Sequence, residues 1–555
     1  MIRKSPLFYA LCLNLFFFLL YVAFGQIRHG SLDDYFMSSV LTGAYGSQYD
    51  VHMYFIKAVY GYFLKPFYML FPKVGWYFIF ELVGTFTAFT IIAYFIVLKL
   101  GARFGSALAF LLLASFTPDF YFQLSFTQCA TLYTATGILL FYFGGMERNK
   151  LWLVLSVLFL FAGSVMRHDG FLLGMPFLGL LFVLQIINKS KISWVALVTL
   201  CVAMVAIWGN RTYDRNLYVE GDYQYYAKYQ PVRAYFGDGS FYDKESTYDE
   251  LEERGMNGVN LSMARSWFFY DTQVLHADTL RAMREVGERN RYLINYTRFP
   301  IAFLLAVSKA LTRTNGWCWV IFCLLLIATP SWKSNVYPWV SLSFIAVSLG
   351  YLLWVNRLVY HVETGVWVYA VVSAIPFIEK DVLSYTSIMK KWNRPLPWAC
   401  LFFSLVFLCF SISGQAFKKQ HLCIIDAPEM TKDWEAFVKY ADDHPDDVFM
   451  LSFERYKQLG TFKDPAYKAI PPGSWQNIYS WGYWNMNLPS MKKELEHRGV
   501  RNPLQDVVND NVYVMEDETP LLPMFYSEHY QKILHVDTAK IFGNLVLVKY
   551  RIKDF

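Results

Sequence analysis

Charge is scarce in this sequence. Only 17% of its 555 residues are Asp, Glu, Lys or Arg, against about 25% in soluble globular chains, which excludes a purely soluble enzyme. The formal net charge of +6 is small for the length. No basic stripe gathers outside the loops, so nucleic acid is not an expected partner. Disordered chains are poor in apolar residues and rich in net charge; here 55% are hydrophobic. The eight cysteines give no disulfide framework. Cys12, Cys129, Cys201, Cys318, Cys323, Cys400 and Cys409 sit in apolar runs, and only Cys423 lies in a polar segment. Internal repeats and low-complexity segments are also missing. What is present is apolar and aromatic material, with 19% Phe, Trp and Tyr, and it points to a polytopic membrane protein.

A spanning helix needs about 20 apolar residues. Apolar runs begin near Leu7, Trp76, Phe104, Phe126, Leu151, Phe171, Ile192, Trp317, Tyr337, Thr364 and Pro397, which predicts about eleven spans. The first follows Arg3 and Lys4, lacks a small-x-small cleavage site, and reads as an uncleaved helix. Alternate connections carry Lys99 and Arg103, Arg148 and Lys150, Lys189 and Lys191, Lys333, and the segment from Lys380 to Arg394. Basic short loops mark the cytoplasm. The N-terminus is therefore expected inside and the C-terminal tail outside, in an inner or plasma membrane. Outer loops then cover residues 26–75 and about 210–314. The tail predicts a helix over 432–443, a strand over 447–453 and an apolar β-rich stretch over 540–550. Two domains follow: a membrane module over 1–413 and a small extracytoplasmic α/β unit over 414–555.

Ionisable groups at a membrane boundary are costly and are the default functional candidates. On the outer side they form four clusters. The first is Arg28-His29-Gly30-Ser31-Leu32-Asp33-Asp34. One adjacent carboxylate can face a substrate, as base or cation ligand, while the other caps a helix. Residues 55–67 follow with helical apolar spacing; His52, Lys57 and Lys65 interleave, as in a helix lying in the interface. The second cluster is Thr117-Pro118-Asp119, which also reads as turn chemistry. The third is Arg167-His168-Asp169-Gly170, where arginine suits a phosphate and an internal Arg–Asp pair is the plainer reading. The fourth runs from Asn356 to Glu363, where Arg357 and His361 would share one helix face, unless Arg357 only snorkels. The large loop adds Lys309 and Arg313 at the end of an amphipathic or re-entrant helix over 292–311. Its tyrosines (Tyr213, Tyr218, Tyr223, Tyr225, Tyr226 and Tyr229) suit an interfacial belt or sugar rings.

The order of these features resembles the GT-C superfamily of integral-membrane glycosyltransferases, in its bacterial type. Asp33-Asp34 is similar to that family's first acidic motif after span one, and Asp119 to its second. Arg167-His168-Asp169-Gly170-Phe171-Leu172-Leu173 is similar to the Arg-x-(Asp/Glu)-Gly-leucine segment of bacterial members. The likeness is densest over residues 1–210 and rests on layout and Arg357 from there to 414. It implies a GT-C-like helical fold and an inverting transfer of a hexosyl or pentosyl group. The donor would be a polyprenyl-phosphate-linked sugar and the acceptor a hydroxyl on a glycan, lipid or protein, at the outer face of the cell envelope. Asp33 or Asp34 would be the base, with Asp119 as second acid or metal ligand. Arg167, His168, Arg357 and His361 would hold the donor phosphate. Arg28, His52, Lys57, Asp169, Glu363, Lys309 and Arg313 would be further donor or acceptor contacts. Some members bind a divalent metal and others do not, so Mg or Mn stays open.

Two other classes fit the composition. A polysaccharide polymerase or ligase would also use lipid-linked glycans, but centres on arginine-rich outer loops. A transporter or flippase would place ionisable groups near the midplane, often in repeated halves. Here charge collects at one face.

Overall fold

The computed structural model describes residues 5–24, 28–46, 48–122, 124–187, 194–237, 244–271, 273–329, 331–355, 357–379, 395–413, 428–461, 465–515 and 520–553. Arg3, Lys4, Lys189, Lys191, the 380–394 segment, Asn356 and Cys423 lie outside the described residues.

Apolar runs of helical length become helices because a membrane leaves no other way to satisfy the backbone. In chain order these are α1 (Pro6–Phe24), α2 (Leu32–Leu41), α3 (Ala58–Leu70), α4 (Trp76–Leu100), α5 (Ser106–Tyr121), α6 (Phe126–Met146), α7 (Lys150–Met166), α8 (His168–Ile187) and α9 (Trp194–Val219). The large loop adds α10 (Gln224–Gly237), α11 (Lys244–Glu253), α12 (Gly258–Arg265) and α13 (Ala277–Leu311). Then come α14 (Thr314–Ile327), α15 (Trp332–Trp354), α16 (Tyr360–Val372) and α17 (Pro395–Ser413).

The expected span starts at Leu7, Trp76, Phe126, Leu151, Phe171, Trp317, Tyr337, Thr364 and Pro397 fall in helices, Phe104 lies just before α5 and Ile192 lies outside the described residues, yet the count of spans is smaller. Among the described residues, six segments are long and apolar enough to cross a membrane, or seven if the bent pair Phe299–Ala310 and Thr314–Ile327 is one span. Helices α14 and α16 have 14 and 13 residues, and about 20 Å of helix falls short of a ~30 Å core. Trp76–Tyr121 counts as one apolar segment of 46 residues, but at ~1.5 Å per residue it would run about twice a bilayer's thickness. It folds back instead. Gly101 has φ +80°, and a Cβ on Gly105 would meet Val97 Cα at 2.8 Å, so the turn needs glycine at both ends. Helices stand over both segments expected to lie along the membrane surface. Helix α3 leaves Tyr62, Phe63, Met69 and Leu70 exposed, and the α13–α14 pair is bent by 79°.

The two ends of the bundle differ. At one end Lys99 Nζ donates to the Ile375 and Pro376 carbonyls at 3.2 and 2.7 Å, and Ser334 Oγ to the Phe377 carbonyl at 2.7 Å. The acid clusters meet at the other.

The tail folds as an α/β unit with α18 (Pro428–Asp443), β1 (Val448–Leu451), α19 (Phe453–Thr461), β2 (Ile478–Ser480), α20 (Pro489–His497), β3 (Val512–Met515), α21 (Leu521–Tyr530), β4 (Leu534–Phe542) and β5 (Leu545–Ile552). The strand order is β2-β1-β3-β5-β4. Strand β1 is parallel to β2 and β3, and β5 is antiparallel to β3 and β4. All four residues of β1 are buried, as expected of a central parallel strand. The unit is knitted to the segment between α1 and α4. Trp475 N–H donates to the Ala44 carbonyl at 2.7 Å and Gly75 N–H to the Tyr467 carbonyl at 2.8 Å. Phe36 stacks on Tyr456 at 4.4 Å.

Candidate active site

The first acid pair sits at the start of α2. Ser31 is the N-cap: its Oγ accepts the Asp33 N–H at 3.0 Å. Neither aspartate is needed as a cap, which corrects the expectation that one would be. Consecutive helical residues point about 100° apart, so the pair divides. Asp34 is fully buried. Its Oδ1 accepts the Tyr77 hydroxyl at 2.6 Å and the Phe126 N–H at 3.1 Å, while its Oδ2 is buried without a partner. Burial is the main force on this carboxyl and pushes it up to about 8; the Tyr77 and Phe126 donors pull the other way, and Asp33 adds to the rise. Asp33 stays partly exposed and accepts the Tyr483 hydroxyl at 2.7 Å.

Glu81, one turn beyond Tyr77 on α4, feels the charge of Asp34. It is 1% exposed and both its oxygens are buried without partners. Sequence reading treated the spans as uncharged inside and missed it. The signal was there: Glu81 is the lone acid in the 25 residues of α4, and such acids are functional by default.

Asp119 was expected in a turn, but it lies inside the last turn of α5 and is buried. Its Oδ2 accepts Asn315 Nδ2 at 2.8 Å, and its Oδ1 accepts the Tyr360 hydroxyl. The Arg313 guanidinium stacks over the Tyr360 ring at 4.4 Å and pairs with Glu363 at 2.9 Å. Lys309 adds positive charge near Glu363. A groove of about 1010 Å³ opens beside this cluster. Asp119, Arg313, Asn315 and Tyr360 line its polar end; Trp317, Val320, Leu324, Phe403, Phe407 and Phe410, from α14 and α17, line its apolar length. Asp33, Asp34, Arg167, His168, Arg357 and His361 do not line it.

The two acid centres meet at the first turn of α6. Ser125 caps it by accepting the Gln128 N–H. Phe126 N–H serves Asp34, and Gln128 Nε2 donates to the Asp119 carbonyl at 3.0 Å. Thr127 Oγ1 accepts Arg167 Nη1 at 2.6 Å. Ser-x-x-Gln before an apolar run is a capping-box pattern, legible in the sequence but not used.

The remaining candidates gather near this end with varied partners. Arg167 lies over the Phe126 ring at 5.2 Å and acts electrostatically on His361. His168 Nε2 meets Arg211 Nη1 at 3.0 Å, and Asp169 is exposed in the first turn of α8. Arg357 and His361 do not share a helix face, because α16 begins at Tyr360; Arg357 is exposed in the link before it. Lys57 pairs with Asp214 at 3.0 Å. His52 pairs with Asp50 at 2.7 Å and stacks on Tyr223 at 3.7 Å. Arg28 is partly buried beside His29, which bridges to Leu124.

The tail turn Trp481-Gly482-Tyr483-Trp484 is held from α10. Arg233, 1% exposed, donates Nη1 to the Gly482 carbonyl at 2.8 Å, and the Tyr226 hydroxyl donates to the Trp484 carbonyl at 2.9 Å. Tyr226 and Tyr229 are thus packing residues, neither an interfacial belt nor a sugar platform. Among the described residues, no three His, Cys, Asp or Glu side chains gather as metal ligands. The Asp34 and Glu81 side chains bring two carboxylates together, and a Mg site completed by water and substrate phosphate uses one or two.

Neither a family model nor a curated protein sequence matches this chain. Among solved structures, it is similar to ArnT from Cupriavidus metallidurans in the apo state, with 11% identity and a TM-score of 0.39 over 97% of this chain and 96% of that one.

Proposed function

We propose that this chain is an inverting membrane glycosyltransferase that moves a sugar from a polyprenyl-phosphate-linked donor to an acceptor hydroxyl on the extracytoplasmic face. The observation that carries the reading is the joining of two acid centres to one apolar groove at a single end of the bundle. Asp119 stands where the groove turns polar, and the first turn of α6 ties it to Asp34. A single-chain lipid fits an apolar groove between helices, with its sugar phosphate at the polar end.

Within this reading, Asp33 is the base. It is the accessible member of the pair and is aimed by Tyr483, so it can take the acceptor's proton as the sugar–phosphate bond breaks. Asp34 is a positioning residue, buried and bonded on one oxygen. The departing lipid phosphate needs positive charge at its oxygens, and the candidates are Arg313 at the groove and Arg167, which follows α7 and donates to Thr127 of α6. The bonds balance simply: acceptor oxygen to anomeric carbon forms, anomeric carbon to phosphate oxygen breaks, and the proton goes to Asp33.

The test is to incubate purified protein with a panel of polyprenyl-phosphate sugars, with and without divalent metal, and follow transfer and donor hydrolysis. Asp33→Asn is expected to abolish turnover while lipid binding persists. Full activity in that variant removes Asp33 as the base, and a product of retained anomeric configuration removes single displacement.

A further inference from the structure

Helix α14 opens the polar end of the groove. Arg313 is its N-cap residue, and no side chain caps it. The first N–H groups of a helix lack partners within it, and Thr314 and Asn315 line the groove at this point. Helix N-termini and arginine both favour anions. A second observation points to a ligand. The Asn315 side chain is 1% exposed; Nδ2 is committed to Asp119 at 2.8 Å, which fixes the amide and leaves Oδ1 buried without a partner. A third concerns charge. Arg313 is held at 2.9 Å by Glu363, an acid of its own chain.

We propose that the start of α14 is the phosphate site for the lipid donor, that Glu363 is the counter-ion the phosphate displaces from Arg313, and that Asn315 Oδ1 receives a hydroxyl of the attached sugar. This rests on the lipid-linked donor reading above and moves the phosphate from Arg167, His168, Arg357 and His361 to Arg313. The occupant is a single-chain lipid phosphate, because the space beyond the lone arginine is apolar along α14 and α17. Glu363 keeps the guanidinium paired in the empty protein, where an unpaired, partly buried cation would be costly. Entry of a phosphate then exchanges one anion for another, which discriminates against uncharged lipids.

The experiment measures binding of a polyprenyl monophosphate to the full-length protein in nanodiscs, with polyprenol and inorganic phosphate as controls. Wild type is expected to bind the lipid phosphate, to bind the alcohol much less, and to release nothing to equal inorganic phosphate. Arg313→Gln is expected to weaken binding roughly ten- to hundredfold, as for loss of a charge-assisted hydrogen bond. Glu363→Gln is expected to tighten it, with unfolding temperature as the control for folding. If Arg313→Gln does not fold, Glu363→Gln decides alone: unchanged or weaker binding overturns the proposal. Equal competition by inorganic phosphate overturns the lipid assignment. Failure confined to the variants removes only this site, whereas a wild type that binds no polyprenyl phosphate removes the donor reading as well.

Discussion

The Tyr483 hydroxyl, on the C-terminal unit, lies 2.7 Å from Asp33, on α2, across 450 residues of chain. A hydrogen bond to a charged group contributes about 1.5–3 kcal/mol. Tyr483→Phe keeps the ring, which packs against Phe36 at 4.9 Å, and removes only the hydroxyl. Turnover is expected to fall roughly ten- to hundredfold with lipid binding unchanged. Steady-state kinetics on Tyr483→Phe beside lipid-binding measurements checks this; a rise in KM alone would contradict it.

Asp34 gives a pH signature. Burial raises its carboxyl to about 8 in the folded chain, against about 4 unfolded. The folded state therefore holds a proton that the unfolded state releases between these values. This contribution to stability is complete below about pH 4, declines as pH rises through the window, and is flat above about 8. Thermal unfolding from acid to mild base should show the decline, and Asp34→Asn should flatten it. Asn still accepts from Tyr77 and Phe126, so the variant should fold. An equal slope in both proteins would place the proton elsewhere.

The cap of α6 carries more than its own helix. Ser125→Ala should cost about 1 kcal/mol, as for an ordinary N-cap. Because the same turn holds Asp34 and Asp119, it should also lower turnover by more than the stability loss explains. Activity measured well below the unfolding temperature separates the two effects.

The groove predicts chain-length selectivity. Val320→Phe narrows its apolar length without touching Asp119. Long-chain donors should lose affinity relative to short-chain ones, read as a ratio of KM values. A uniform loss for both would mean that the tail lies elsewhere.

Much of this was legible in the residues. Period, length and apolarity located most of the long apolar helices, and the tail's helix and strands stand over the expected segments. The acids stood out because charge is otherwise rare. What the sequence hid was pairing. Asp33 and Asp34 look equivalent as a string, and only the turn of α2 separates them, one inward and one outward. Arg357 and His361 had the spacing of one helix face, but the helix starts between them. Asn315, Tyr360 and Tyr483 carry no charge, so nothing local marks them. Their roles come from distant chain that tertiary packing brings beside an acid. Eleven apolar runs read as eleven spans because hydropathy does not register that α14 and α16 are too short to cross alone.

The contacts between the tail and the segment linking α1 to α4 have a consequence for biosynthesis. Asp33 enters the membrane early, while its tyrosine has not yet been made. At about 5–20 residues per second, the intervening 450 residues take roughly half a minute or more. Throughout that time the bundle can fold around Asp34, but Asp33 does not yet have its bond from Tyr483. The contact made by Asp33 is thus begun early in synthesis and completed by the C-terminal unit.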